Sequence, residues 1–243
     1  IPSGDVQING VAYLAAGAGS HPTIIICHGL PGNEKNLDLA QALRRAGWNA
    51  ITFNYRGSWG SPGSFRFDQN PKDASAVLAY LRVPANAQKL GIDTSRVVIA
   101  GHSMGGWAAA MSAANDHGLD GIILISAANI GAVGRLPTDA IAAVMADSME
   151  SLAGTTPSIL SEEVRTNAEA YDFVHKATSL AKIPMLVLSS DDGLAPHTDA
   201  LATAIDRSGG KQVTSVHVAT DHSWSDRRIR MQTDILRWLA KLK

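Results

Sequence analysis

A single α/β domain, built on a mostly parallel central sheet with helices on both faces, is what three observations in the 243-residue sequence predict. Strand-like runs that are apolar on both faces recur along the chain, helix-period stretches separate them, and no Pro/Gly/Ser-rich linker or internal repeat divides it. Composition agrees, since 45% hydrophobic and 18% charged side chains suit one domain with a sizeable core and exclude disorder. With 21 basic against 22 acidic residues the net charge is -1, so no electrostatic footprint points to nucleic acid or to an anionic membrane surface. The longest apolar runs, such as Thr23 to Cys27 and Gly121 to Ile125, fall far short of the roughly 20 residues of a bilayer span, which predicts a soluble chain. A single cysteine, Cys27, excludes an internal disulfide and a cysteine-built zinc site. The chain starts at Ile1 without an initiator methionine, which hints at a removed upstream segment and leaves both a cytoplasmic and an exported location open.

Taken in order, Val6 to Ile8 and Val11 to Leu14 read as a hairpin turning at Asn9-Gly10, a dipeptide suited to positive φ at both turn centres. Strands follow at Thr23 to Cys27, Ala50 to Phe53, Val97 to Ala100, Gly121 to Ser126, Met185 to Ser190 and Val213 to Val218. Between them, Glu34 to Ala46, Pro71 to Arg82, Gly105 to Ala114, Thr198 to Ser208 and Asp226 to Leu242 carry helical periodicity. Asn70 is the expected N-cap of the second helix, with Pro71 at its first position. The interval 127–182 is too long for a simple crossover and predicts a helical insertion, with helices over Asp139 to Leu152 and over Ser161 to His175, serving as a lid above the carboxyl ends of the strands. At their helical spacing, Met145, Met149 and Leu152 read as core more readily than as an acyl-binding face.

The chemistry concentrates where Val97 to Ala100 runs into Gly101-His102-Ser103-Met104-Gly105 and then into a helical composition. A sharp strand-to-helix turn strains the serine backbone and lifts its hydroxyl above the sheet, and glycine two residues to either side avoids collision with neighbouring backbone. Ser103 is therefore the expected nucleophile, against the plainer reading of a serine capping the next helix.

With this motif, His28-Gly29-Leu30-Pro31-Gly32, Tyr55-Arg56-Gly57-Ser58-Trp59-Gly60-Ser61-Pro62-Gly63 and Asp221-His222-Ser223-Trp224, the chain resembles the α/β-hydrolase superfamily over nearly its whole length, in particular small serine esterases and the catalytic domains of prolyl-oligopeptidase-like peptidases. It departs from those peptidases in having no room for their propeller domain. A serine hydroxyl needs a base to take its proton and an acid to hold that base. Of eight histidines, His222 follows the last strand on a loop at the sheet's carboxyl edge, where the base belongs in the order Ser, Asp, His. His28 and His102 stand too close in the chain to the turns they flank, and His217 lies within a strand pattern. The resemblance implies Asp192 as the acid, because a proline follows four residues later, and leaves Asp191 to the turn. It also implies an oxyanion hole of two backbone amides, Met104 after the nucleophile and Leu30 in the loop after an early strand, with His28 bracing that loop. Trp59 is a candidate substrate-binding residue, while Trp107 reads as core and Arg56 as a structural residue of its loop.

No metal- or nucleotide-binding signature occurs, so no cofactor is expected. The resulting expectation is a serine hydrolase acting on small carboxylic esters, with water as co-substrate, through an acyl-enzyme. The rival readings are a peptidase or amidase using the same groups, and a relative of this fold that binds a ligand without turnover.

Overall fold

The structure, a computed structural model, describes residues 1–242. Seven strands form the main sheet: β3 (Gly10–Tyr13), β4 (His21–Cys27), β5 (Asn49–Phe53), β6 (Ile92–His102), β7 (Gly121–Ile125), β8 (Met185–Ser189) and β9 (Val213–His217). Their spatial order is β3-β5-β4-β6-β7-β8-β9, and every neighbouring pair is parallel except β3 against β5. From β4 the chain crosses to one side, to β5, and from β6 onward it advances to the other. The carboxyl ends of β4 and β6 therefore flank the point where the winding reverses, the crevice in which open α/β sheets place their ligands.

Period-two alternation explains why both faces are apolar. Ile25, Ile99, Leu124 and Val187 face one buried cluster, and Ile26, Ala100, Ile125 and Leu188 face the other. The second cluster is closed by Leu39 and Leu43 of α1 (Leu37–Arg45) and by Met231, Ile235 and Trp238 of α10 (Arg228–Leu239). The first is closed by α2 (Asn70–Arg82), by α4 (Met104–Ala113) with the fully buried Trp107, and by Leu201 and Ile205 of α9 (Ala195–Arg207). Between α2 and β6, α3 (Pro84–Leu90) is a helix that the periodicity did not single out.

Two local expectations are corrected. Val6–Gln7 (β2) pairs with Pro2–Ser3 (β1), whereas β3 pairs with β5, so Asn9-Gly10 is no hairpin turn. The positive φ belongs to Gly4, and Asn9 is held by the 54–61 loop: its amide bonds Ser61 Oγ at 2.9 Å and its side chain bonds the Gly60 carbonyl at 2.9 Å. Asn70 lies inside α2 rather than capping it and turns its side chain inward onto Met104 Sδ at 3.2 Å.

The interval 127–182 is helical: α5 (Ile130–Val133), α6 (Thr138–Ala146), α7 (Pro157–Thr166), α8 (Ala177–Leu180) and two 3-10 turns. α7 starts at Pro157 and not at Ser161, because the Thr156 hydroxyl caps it by accepting the Ile159 amide at 3.2 Å. Met145, Leu160 and Val164 are buried in the first cluster, and Met149 and Leu152 pack against it, so these side chains are core. The segment around Ser151 is laced to the loop after β5, through Trp59 N to Ser151 O at 3.0 Å, Ala153 N to Gly57 O at 2.8 Å and Phe65 N to Ala153 O at 2.9 Å.

Candidate active site

β6 ends at His102 and α4 begins at Met104, which leaves Ser103 alone in the turn with φ 57° and ψ -126°. Neighbouring backbone holds this unfavourable conformation: the Ser103 amide bonds the Ile125 carbonyl at 2.9 Å, and its carbonyl accepts from Gly106 at 3.0 Å and Ala128 at 3.0 Å. Side chains at the flanking glycines are impossible, since a Cβ on Gly101 would lie 2.0 Å from the Gly105 oxygen and one on Gly105 would lie 2.1 Å from the Cys27 oxygen. The glycine requirement read from the sequence is thus a demand for backbone contact between β6, α4 and β4.

The loop after β4 approaches the same serine. A Cβ on Gly29 would stand 3.0 Å from Ser103 Cβ and 3.5 Å from its Oγ, so the peptide leading into Leu30 runs against the Ser103 side chain. Neither the Leu30 amide nor the Met104 amide donates to another protein group among the described residues, which leaves two free donors beside the hydroxyl, one of them at a helix N-terminus. His28 braces the loop as expected, donating from Nδ1 to the Gly29 carbonyl at 2.8 Å and packing edge-on to Tyr55 at 4.7 Å. Burial pushes His28 down to about 4 and the neighbouring Cys27 thiol up to about 12, so neither is charged near neutrality.

Trp59 stands elsewhere than expected. It does not line the cleft at Ser103; its indole N–H donates to the Pro31 carbonyl at 2.6 Å, beside the Ser151 hydroxyl at 2.8 Å on the same oxygen. Together the two hydrogen bonds tie the Leu30-Pro31 loop to the loop after β5 and to the segment around Ser151. Nor does any residue of 127–182 line the cleft; the insertion, expected as a lid, touches the site at its start, where the Ala128 amide donates to the Ser103 carbonyl, and through Ser151 and the loop it holds.

Asp192 and His222 come together. His222 Nδ1 donates to Asp192 Oδ2 at 2.7 Å, and Asp192 Oδ1 accepts the Leu194 amide at 2.8 Å. Burial raises the pKa of the Asp192 carboxyl, but hydrogen bonds from His222, the Leu194 amide, Ser190 and Ser126 outweigh this and hold it below 3.8. The loop carrying His222 is shaped by Asp221, whose side chain accepts the Ser225 amide at 2.8 Å, and by the fully buried Trp224 at φ 60°. Ser103 and His222 line one cleft of about 160 Å³ together with Gly29, Leu30 and His102, with no direct hydrogen bond between hydroxyl and imidazole.

Several contributors escaped sequence reasoning. His102, set aside as a base in the sequence, donates from Nε2 to the His222 main-chain carbonyl at 2.8 Å, and its ring lies 4.7 Å from the His222 ring. Burial first, then the His222 charge, pushes His102 down to about 4, which keeps it a neutral donor. Behind Asp192, the Trp224 indole donates to Ser126 Oγ at 3.1 Å, which meets Ser190 Oγ at 2.8 Å. The available signal was two serines that end apolar runs on strands which prove adjacent. His197 accepts the Asn129 amide at 3.1 Å and is structural. Arg56 pairs with the buried Asp73 carboxylate at 2.6 Å.

A model of the alpha/beta hydrolase family matches residues 24–232, and the chain belongs to that family. Among curated proteins it is similar to an uncharacterised protein of Mycobacterium tuberculosis, 28% identical over 101 residues, which is 41% of this chain and 34% of that protein. Among solved structures, a thermostable carboxyl esterase from Bacillus coagulans superposes with TM-score 0.73 at 14% identity, covering 100% of this chain and 97% of the esterase. Pyrococcus horikoshii acylaminoacyl peptidase superposes with TM-score 0.73 at 16% identity, covering 98% of this chain and 40% of the peptidase. At these identities the likeness to the solved structures is one of fold. Among the described residues no helix is long and apolar enough to cross a membrane.

Proposed function

We propose that this member of the family is a serine hydrolase that cleaves small carboxylic esters, with Ser103, His222 and Asp192 as its triad and the Leu30 and Met104 amides as its oxyanion hole. The observation that carries the reading is a strained serine at the strand-to-helix turn, sharing one cleft with an imidazole whose other nitrogen is fixed on a largely buried carboxylate.

With Nδ1–H committed to Asp192, the His222 tautomer leaves Nε2 unprotonated and able to take the Ser103 proton. The contact between Nε2 and the hydroxyl tightens when substrate fills the cleft. Ser103 Oγ then bonds to the ester carbonyl carbon, and the carbonyl oxygen becomes an oxyanion met by the two free amides. The C–O bond to the alcohol breaks as the imidazolium returns its proton to the leaving oxygen. Water, deprotonated by His222, then attacks the acyl-enzyme and releases the acid, and Ser103 recovers its proton. The depressed Asp192 pKa keeps the carboxylate ionised throughout, so it orients and stabilises the imidazolium without taking its proton. Residues 127–182 serve as a brace for the oxyanion loop, through Ser151 and Trp59.

A fluorophosphonate probe should label the wild-type chain and leave Ser103→Ala unlabelled, with p-nitrophenyl acetate hydrolysis falling by at least about 10³-fold in the variant. Equal labelling of the two proteins would refute the assignment. Aminoacyl-nitroanilide turnover far above that of nitrophenyl esters would favour a peptidase using the same groups.

A further inference from the structure

The cleft at Ser103 does not end at His222. A second, larger groove of about 460 Å³ adjoins it, with Asn33, Glu34, Lys35, Asp38, Ser223 and Arg228 in its lining. Asn33, Glu34 and Ser223 line both cavities and so mark the seam between them. Whatever occupies the groove lies beside the residue that follows His222 in the chain.

Most of the groove's charge is already committed. Arg228 bonds the Asp38 carboxylate through Nε and Nη2, the Asn36 side chain at 3.0 Å and the Ser223 carbonyl at 2.9 Å. Asp38 also accepts from Gln232 at 2.8 Å. Lys35 donates to Asn54 at 3.2 Å and lies 4.1 Å over the Trp59 ring. Glu34 spends Oε1 on the Asn36 amide at 2.5 Å. Among the described residues, the groove's uncommitted polar groups include the Asn33 side-chain amide, the Ser223 hydroxyl and Glu34 Oε2, and these three belong to the seam residues. They offer donors and acceptors to neutral hydroxyl groups, while the methylene stems around them offer contact to carbon.

Their position gives them a place in the reaction. The leaving oxygen must receive its proton from the His222 imidazole, so the alcohol part of an ester departs on the His222 side. Resting on the serine-hydrolase reading, we infer that the groove from Asn33 to Arg228 binds the alcohol part of the substrate and that this alcohol is a polyol, its hydroxyls meeting Asn33, Glu34 and Ser223, while the smaller cleft at Ser103 takes a short acyl group.

The test pairs two acetate esters that differ only in hydroxyls, n-propyl acetate and 2,3-dihydroxypropyl acetate, with acetylcholine as a cationic comparison for the Glu34 carboxylate. The dihydroxypropyl ester should exceed the propyl ester in kcat/KM by about tenfold, the worth of one or two hydrogen bonds. In an Asn33→Ala/Ser223→Ala variant the ratio should fall toward one. Both esters are assayed on one preparation, so any loss of folded protein cancels in the ratio. A wild-type ratio at or below one, a ratio unchanged in the variant, or acetylcholine surpassing the polyol ester each overturns the inference, even where Ser103 is labelled and p-nitrophenyl acetate is turned over. Absence of both labelling and turnover of every ester refutes the serine-hydrolase reading itself, and the polyol site falls with it.

Discussion

Asp191 and Asp192 are consecutive in the chain, and each holds a histidine, yet the two pairs have little else in common. Asp192 is 5% exposed and faces the Ser103 cleft through His222; Asp191 is 62% exposed and holds His217 at 2.9 Å on the open edge strand β9. His217 also meets a serine, Ser189 Oγ at 3.0 Å, so the outer pair copies the residue types of the inner one. It lacks the surroundings: no strained turn lifts Ser189, which closes β8 in register with His217 and whose carbonyl accepts the Val218 amide at 3.0 Å. The outer pair is water-screened and worth little, as exposed ion pairs usually are. The same three residue types therefore stand in two unlike settings, with burial, a strained serine and free amides around the inner pair and none of these around the outer one.

The contrast is broken most severely at the histidines. His222→Gln should lower kcat/KM for nitrophenyl acetate by about 10⁴-fold, while His217→Gln changes it less than about twofold. Next come the acids, with Asp192→Asn falling by about 10³- to 10⁴-fold against at most about threefold for Asp191→Asn. A crippled Asp191→Asn beside a mild Asp192→Asn would move the acid to the outer pair.

The two buried histidines bonded to backbone carbonyls sharpen the contrast in stability. His28 and His102 titrate near 4 in the folded chain and near 6.5 when unfolded, so the unfolded state takes up protons first on acidification. Stability is then fully present above about pH 6.5 and declines toward pH 4, by about 1.4 kcal/mol per pH unit for each imidazole. Urea unfolding midpoints measured from pH 7.5 to pH 4.5 should show this slope, and His102→Gln should remove about half of it; an unchanged slope would deny His102 its part. The Asp192 contribution survives this range, because a carboxyl held below 3.8 gives up its stabilisation only at more acid pH.

The smallest expected effect lies behind the inner pair. Ser190→Ala should reduce kcat about fivefold through a loosened carboxylate, the worth of about 1 kcal/mol, and Ser189→Ala should leave it unchanged. In an Asp192→Asn background the Ser190→Ala loss should vanish, whereas a general packing defect would persist in both backgrounds.

The strand runs and the Gly-x-Ser-x-Gly turn were legible because each depends on local periodicity or on a steric demand within a few residues. The small hairpin was not, because Asn9 is claimed by a loop some fifty residues further on. Trp59 was misplaced for the same kind of reason: its indole answers to Pro31 O, a partner that only the fold brings near. Ser126, Ser190 and Trp224 acquire their roles from the adjacency of β7 and β8 and from a turn that buries the indole in the cluster closed by α10, with its N–H on Ser126.

By itself, then, the sequence determined the layered α/β architecture, the strained serine and its free helix-terminal amide, since hydrophobic period and glycine sterics act over short stretches of chain. Which aspartate faces inward, what stands behind it, where the insertion leans and which polar groups border the groove beside His222 were decided only by tertiary structure. Those outcomes depend on hydrogen bonds between residues tens of positions apart, and such partners become neighbours only once the sheet has set the order of its strands.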